Sequence, residues 1–364
     1  MPSHPYTIPM RRGTTELFVD DVSHPGQRRQ LNLTAGDNDN GRRLDRILRK
    51  ALPDMPLSAI HRLLRQGLVL VNGEAAGADY RVQSGQLIVL DSASSGSARA
   101  GYEPERTKRA GSGGNERVPL EIPEILFEGE GLLILNKPAG IEVHGKKSLE
   151  EIARFYLAPK LSPSLSFKPG PLHRLDRPTS GIIVFSANIE GARFFSALMR
   201  KREIKKQYLA IVEGVIQKSE IWREELFRDN HLKKTFTSDS ARNLGIKDEQ
   251  ELKAAITLVR PLAKSEKFTL VLAEIETGRT HQIRAQAASR GHPLSGDRKY
   301  GSRVSGGGLF LHAWRVEFPQ SARSFFPTLP LLIEAPLPDS FHGMIFELFG
   351  SSFELPVISR AVEL

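Results

Sequence analysis

Apolar positions in this chain follow two regimes, a helical period near the N-terminus and short continuous runs further on. From Gly41, the residues Leu44, Ile47, Leu48, Ala51 and Leu52 recur at i, i+3, i+4, i+7 and i+8. This spacing predicts an amphipathic helix whose other faces carry Arg42, Arg43, Arg46, Arg49 and Lys50. Ser58, just after Pro56, is the expected N-cap of a second short helix with Ala59, Ile60, Leu63 and Leu64 inside and His61, Arg62 and Arg65 pointing elsewhere. Residues 68–71 and 87–90 read as strands, with Asn72-Gly73 as a hairpin turn. Beyond them, residues 132–135, 182–185, 208–212, 254–259, 268–275 and 309–311 are short apolar or β-branched runs between Gly/Pro turns. Helices are expected around 148–156 and 192–201. Strand-rich order with peripheral helices predicts an α+β class: a mixed, mainly antiparallel sheet in a large domain, plus a small α+β N-terminal module.

Composition adds boundaries and a partner class. A chain of 364 residues is expected to hold more than one domain. The reading is a flexible extension over 1–27, the small module over 28–91, a Gly/Ser-rich linker over 92–117, the large domain over 118–350 and a tail over 351–364. A net charge of +9 and a pI near 9.7 point to a polyanionic partner, nucleic acid ahead of an acidic membrane. The absence of cysteine excludes disulfides, thiolate metal sites and Cys nucleophiles. No apolar run approaches signal-peptide length or the roughly 18 residues of a membrane span, so a soluble cytoplasmic protein is expected.

The module's layout resembles a small RNA-binding domain shared by a ribosomal small-subunit protein, tyrosyl-tRNA synthetases and several RNA-modifying enzymes. Gly41-x-Arg43-Leu44-Asp45-x-x-Leu48 and Leu70-Val71-Asn72-Gly73 carry the resemblance. It implies phosphate contacts to structured RNA and makes Arg42, Arg43, Arg46, Arg62 and Arg65 RNA-binding candidates. Two solvated helix faces are the alternative.

Candidate chemistry begins at His173-Arg174-Leu175-Asp176-Arg177-Pro178-Thr179-Ser180-Gly181. Asp176 is a lone carboxylate whose two arginine neighbours favour its ionised form, on a turn that opens a buried strand. A surface ion-pair cluster is the alternative. Tyr208, after Lys205-Lys206-Gln207, is either a strand aromatic or a stacking face for an extruded base. Thr277-Gly278-Arg279-Thr280-His281-Gln282-Ile283-Arg284 is too dense in polar groups for an ordinary turn. Arg284 facing Asp176 would orient the carboxylate through a charge-assisted pair. Asn136-Lys137-Pro138-Ala139-Gly140, read alone, is a basic surface turn, and residues 291–301 read mostly as turn chemistry. His281, His292 and His312 lack metal-site spacing, so no metal is expected, and no phosphate loop or dinucleotide fingerprint is present.

In order, His173-Arg174-Leu175-Asp176-x-x-Thr179-Ser180-Gly181, Lys206-x-Tyr208-x-Ala210-x-Val212-x-Gly214 and Gly278-Arg279-Thr280-His281-Gln282-Ile283-Arg284 resemble the RluA-type pseudouridine synthases. The resemblance implies uridine isomerisation without a cofactor: N1–C1′ breaks, the uracil rotates, and C5 bonds to C1′. It implies Asp176 as the reacting carboxylate, Tyr208 stacked on the uracil, Arg284 paired with Asp176, and Arg174 displacing the target nucleotide. C1′ attack, C6 addition and a glycal route all remain open for Asp176. His173, Arg279, His281 and Gln282 are further RNA-contact candidates. The 136–145 stretch is similar to the RluC-like members, which implies large-subunit ribosomal RNA as partner; a monomer is expected. Pro178 instead matches some transfer-RNA members, which makes a transfer-RNA enzyme one alternative; a non-catalytic RNA-binding assembly factor is the other.

Overall fold

The computed structural model describes residues 30–91, 121–243, 252–304 and 306–350. The expected extension (1–27), linker (92–117) and tail (351–364) lie outside the described residues. The chain divides into two compact units, Met1–Glu121 with Arg154–Pro169, and Ile122–Ala153 with Gly170–Leu364.

The first unit contains β1 (Gln30–Thr34), β2 (Arg42–Arg43), α1 (Leu44–Ala51), α2 (Leu57–Arg65), β3 (Val69–Val71), β4 (Glu74–Ala75), β5 (Arg81–Val82) and β6 (Leu87–Asp91). An antiparallel sheet runs β1-β6-β3-β4, with β2 and β5 paired separately. Leu44, Ile47 and Leu48 of α1 and Ile60 and Leu64 of α2 bury against Val69, Val71, Ile88 and Leu90. The helical period thus marks the face that leaves water.

Three details differ from the sequence reading. Arg42 and Arg43 are not on helix faces: they pair with Val82 and Arg81 in extended conformation, and α1 starts only at Leu44. The N-cap of α2 is Pro56 rather than Ser58, which falls in the first turn; the fixed φ of Pro56 suits the entry and its missing N–H leaves no extra donor to satisfy. The turn at Asn72 (φ 50°) and Gly73 (φ 90°) leads into β4, too short to show a pattern, while β6 pairs with the other edge of β3.

Asp39 explains why Arg154–Pro169, inside the range expected for the large domain, groups with the first unit. Its buried carboxylate accepts from Leu165 N (2.8 Å), Ser166 N (3.0 Å), Ser164 Oγ (2.9 Å), Ser166 Oγ and Gly36 N (3.0 Å). Leu165 packs on the same core as α1 and α2. A buried carboxylate is tolerated because donors replace its water.

The second unit holds β7 (Ile125–Gly129), β8 (Leu132–Lys137), the start of α3 (Leu149–Leu157), β9 (Gly170–Pro171), β10 (Ser180–Ser186), α4 (Ile189–Lys201), β11 (Lys205–Glu213), β12 (Glu220–Asp229), β13 (Lys234–Thr237), α5 (Ser238–Asn243), β14 (Lys253–Lys264), β15 (Phe268–Ile275), α6 (Gln282–Ser289), β16 (Leu311–Glu317), β17 (Leu332–Glu334) and α7 (Asp339–Phe349). Its strands run β13-β12-β14-β15-β11-β16-β10-β8-β7, with β17 on β16 and β9 on β10. Pairing is antiparallel except between β10 and β16, so the fold is α+β with a mixed, mainly antiparallel sheet.

Alternation along the strands supplies two cores. Leu132, Ile134, Ile182 and Val184 pack under Phe195 and Leu198 of α4. Leu209, Ile211, Leu270 and Leu272 pack under Phe341 and Ile345 of α7. Strand β12 escaped the sequence reading because charged residues interrupt its apolar positions, and only the register with β13 and β14 defines it. Gly181 is required where β10 meets β16: at φ 103°, an added Cβ would lie 2.2 Å from Ala313 O. That close approach fixes the base of the Asp176 loop. Among the described residues no helix is long and apolar enough to cross a membrane.

Candidate active site

The Asp176 loop is held from beneath by a buried cation. Lys137, at the end of β8, is fully buried and donates from Nζ to Pro138 O (3.0 Å), Arg177 O (3.1 Å) and Thr179 O (2.7 Å). Burial pulls this ammonium down to about 8, with the negative charge of Asp176 acting the other way. Gly140 N also donates to Arg177 O, and Thr179 N to Asp176 O. The segment that reads as a basic surface turn therefore organises the carboxylate's loop. Apart from the family resemblance of residues 136–145, its one sequence signal is a lysine at the end of an apolar run.

The partner of Asp176 comes from α6. Arg284 Nη1 donates to Asp176 Oδ2 at 3.0 Å, while its Nε and Nη2 donate to Asp297 Oδ2 and Oδ1 at 2.7 and 2.8 Å. Burial opposes the guanidinium's charge, but hydrogen bonding and charge from Asp297, then from Asp176, outweigh it and raise Arg284 above its ordinary range. The expected Arg284–Asp176 pairing is thus present. Arg177, the other sequence neighbour of Asp176, sends Nε to Gly140 O at 3.0 Å. Asp297 lies in the stretch read as turn chemistry, and nothing local in the sequence assigns it to Arg284.

His281 is the second neighbour of Asp176, with Nε2 3.6 Å from Oδ2. It caps α6 at φ 54°, an uncommon conformation for a residue with a Cβ. Its Nδ1 lies 2.8 Å from Tyr300 Oη, which accepts from Thr235 N at 2.9 Å. The assignment that uses every proton has Oη–H donating to Nδ1 and Nε2–H facing Asp176. Burial pushes the imidazole down to about 4, against the pull of Asp176, so it is neutral at ordinary pH.

A cleft above these groups is lined by Arg174, Asp176, Tyr208, Arg279, His281 and Arg284 among others. Tyr208 pairs with Ala313 of β16, beside a β-bulge that leaves Trp314 as the extra residue between the partners of Gln207 and Tyr208. Burial first, and the Asp176 charge second, push its phenol above the usual range. Arg174 and Arg279 are exposed, and Arg279 is steadied by a bond from Nε to Ala254 O.

Two candidates for RNA contact are used otherwise. Gln282 is buried with its amide saturated: Oε1 accepts from Thr277 Oγ1 and Arg279 N, and Nε2 donates to Ile256 O and Thr257 Oγ1. It shapes the motif and has no free group for RNA. His173 does not line the cleft; its ring stacks on Phe195, and Nε2 accepts from Val184 N at 3.1 Å. In the first unit, Arg46, Arg62 and Arg65 are exposed, whereas Arg43 is engaged through two bonds to Asp45. A larger concavity, lined by Asn136, Pro138, Phe310, Pro336 and Phe341, contains none of Asp176, Tyr208 and Arg284.

Residues 131–289 match the RNA pseudouridylate synthase family, and residues 42–88 match the S4 domain. The chain is 31% identical over 329 residues to the ribosomal large subunit pseudouridine synthase D of Nitrosomonas europaea, covering 86% of this chain and 87% of that protein. It is 31% identical over 313 residues to the ribosomal large subunit pseudouridine synthase C of Vibrio parahaemolyticus, covering 84% and 93%. Among solved structures, human RNA pseudouridylate synthase domain containing 4 aligns over 62% of this chain and 92% of its own, with a TM-score of 0.49 and 22% identity. The chain belongs to the RNA pseudouridylate synthase family.

Proposed function

We propose that this RNA pseudouridine synthase isomerises uridines of large-subunit ribosomal RNA, with Asp176 as the reacting carboxylate. One observation carries the reading: Asp176 Oδ2 is held by Arg284, while Oδ1 has no hydrogen-bond partner among the described residues. A carboxylate fixed by one oxygen and open at the other is positioned to act on a nucleotide brought into the cleft.

The target uridine leaves its stack, at a cost of a few kcal/mol, and the exposed Arg174 and Arg279 meet its flanking phosphates. Tyr208 presents its ring to the base, and its raised phenol keeps the proton, which makes it a neutral donor at ordinary pH. The N1–C1′ bond breaks, C5 bonds to C1′, C5 gives up its proton and N1 gains one, so atoms and charge balance. Asp176 serves by C1′ attack, C6 addition or sugar deprotonation. Asp297 is not a second reacting carboxylate of the glycosidase kind, since Arg284 occupies both of its oxygens.

The S4 match supports RNA binding, and the names of the two ribosomal relatives support a large-subunit target. Tritium release from ribosomal and transfer RNA transcripts carrying C5-tritiated uridine tests both parts. The expected result is release from ribosomal RNA and none with Asp176→Asn, which still binds that RNA. Full turnover by Asp176→Asn would remove the carboxylate from the reaction, and release from transfer RNA alone would reassign the target.

A further inference from the structure

Beyond the cleft, cations gather around Tyr300 without acids to neutralise them. Lys234 Nζ lies 4.9 Å from the Tyr300 ring centroid and 5.3 Å from that of Phe236. Lys299, next to Tyr300 in the chain, is exposed and donates from Nζ to Lys233 O at 2.7 Å. Arg228 stands on β12, opposite Thr235 of β13, whose amide bonds Tyr300. None of the three makes an ion pair among the described residues. The nearby acids are committed elsewhere: Asp229 caps His231 N and Leu232 N, Glu224 pairs with Arg290, and Asp176 and Asp297 are held by Arg284.

This arrangement is unfavourable in the free protein. Partial burial and then repulsion from Arg228, Arg284 and Lys234 pull Lys299 below the usual lysine range. Arg228 Nη1 is buried without an acceptor, a penalty that an anion drawing the guanidinium outward would relieve. Tyr300 itself touches His281, which faces Asp176, so the cations stand one layer behind the reacting carboxylate.

We propose that Arg228, Lys234 and Lys299 form a phosphate-binding patch for the RNA strand beside the target uridine, separate from the arginines of the first unit. The inference rests on the reading of this protein as an enzyme acting on RNA. The patch neutralises backbone charge and reads no base, because three cations on a hairpin and an adjacent turn offer charge without a groove for base edges.

The test uses the full chain and a poly-uridylate oligonucleotide, comparing wild type with the triple variant Arg228→Gln, Lys234→Gln, Lys299→Gln. Single-strand binding loses roughly 0.7 of its log–log salt slope per phosphate contact, so the expected slope is shallower by about 2, with at least about tenfold weaker binding at low salt. An unchanged slope overturns the patch. If the triple variant melts early, Lys299→Gln alone is decisive: Lys299 is exposed, a slope shallower by about 0.7 supports the patch, and no change overturns it. Tritium release by the wild type, measured in parallel, separates the two readings. Release with an unchanged slope refutes only the patch; a flattened slope without release upholds the patch and refutes the enzymatic reading.

Discussion

Asp297 grips Arg284 through Nε at 2.7 Å and Nη2 at 2.8 Å, and so aims the remaining nitrogen, Nη1, at Asp176. A guanidinium has enough donors to serve two carboxylates at once, and its planar fork fixes their relative direction. Asp297 is thereby a positioning residue for a carboxylate it does not touch.

Asp297→Asn keeps the shape and removes the charge that holds Arg284. Loss of one partner of a buried pair costs about 3–5 kcal/mol, read as a lower urea midpoint. Misplacing Arg284 is expected to slow single-turnover tritium release on the order of 10²-fold. Arg284→Lys should not restore the rate, since one ammonium cannot bridge both acids. Wild-type release by either variant would show that Asp176 needs no such support.

Tyr300→Phe retains the ring beside Lys234 and Arg284 but removes the hydroxyl that Thr235 N and His281 share. Leaving the Thr235 amide unpaired costs roughly 1–3 kcal/mol. The imidazole also loses the bond that fixes its tautomer, so proton NMR of the His281 ring should report mixed tautomers in place of one. A single tautomer in the variant would refute that role.

Stability should fall as the medium is acidified. His173, His281 and His312 are each pushed down to about 4, burial being the first cause in every case. Their unfolded counterparts take up protons near 6.5. Above that pH both states are neutral and stability is fully present; between about 6.5 and 4 the unfolded state binds more protons and stability is lost. Each histidine adds a slope of about 1.4 kcal/mol per pH unit there. Denaturant midpoints across this window check the sign. His312→Asn should flatten the curve, because burial keeps this ring neutral and outweighs the Ala335 carbonyl, which favours the protonated form.

Asp39→Ala should loosen residues 164–166. It deletes an acceptor that serves Leu165 N, Ser166 N, Ser164 Oγ and Gly36 N, and it leaves the half-buried Leu165 amide unpaired at roughly 1–3 kcal/mol, while Ser166 N keeps only the longer bond to Ser164 Oγ at 3.3 Å. Hydrogen exchange at Leu165 and Ser166 should accelerate well before exchange in β3 and β6. Unaltered protection would mean that Leu165 packing alone secures the segment.

Legibility followed the range of the interactions. The Leu44–Leu48 stripe and the Asn72-Gly73 turn are local, and they appear in the structure where the spacing puts them. Arg43 misled because composition cannot separate a helix face from an edge strand, and pairing with Arg81 decided for the strand. Gln282 misled for a related reason: an amide in a polar motif looks available until Thr257, Ile256 and Thr277 saturate it.

The sequence by itself determined the α+β class, the two-part pattern of helices and strands, and the motifs that carry Asp176, Tyr208 and Arg284. These rest on side-chain period, turn chemistry and residue type, all of which act over a few positions. Only the tertiary structure decided that Lys137 lies beneath the Asp176 loop, that Asp297 holds Arg284, and that Tyr300 orients His281. Each is a contact between segments distant along the chain or a choice among several possible hydrogen-bond partners. Such choices are made by packing, which brings one partner within reach and buries the rest.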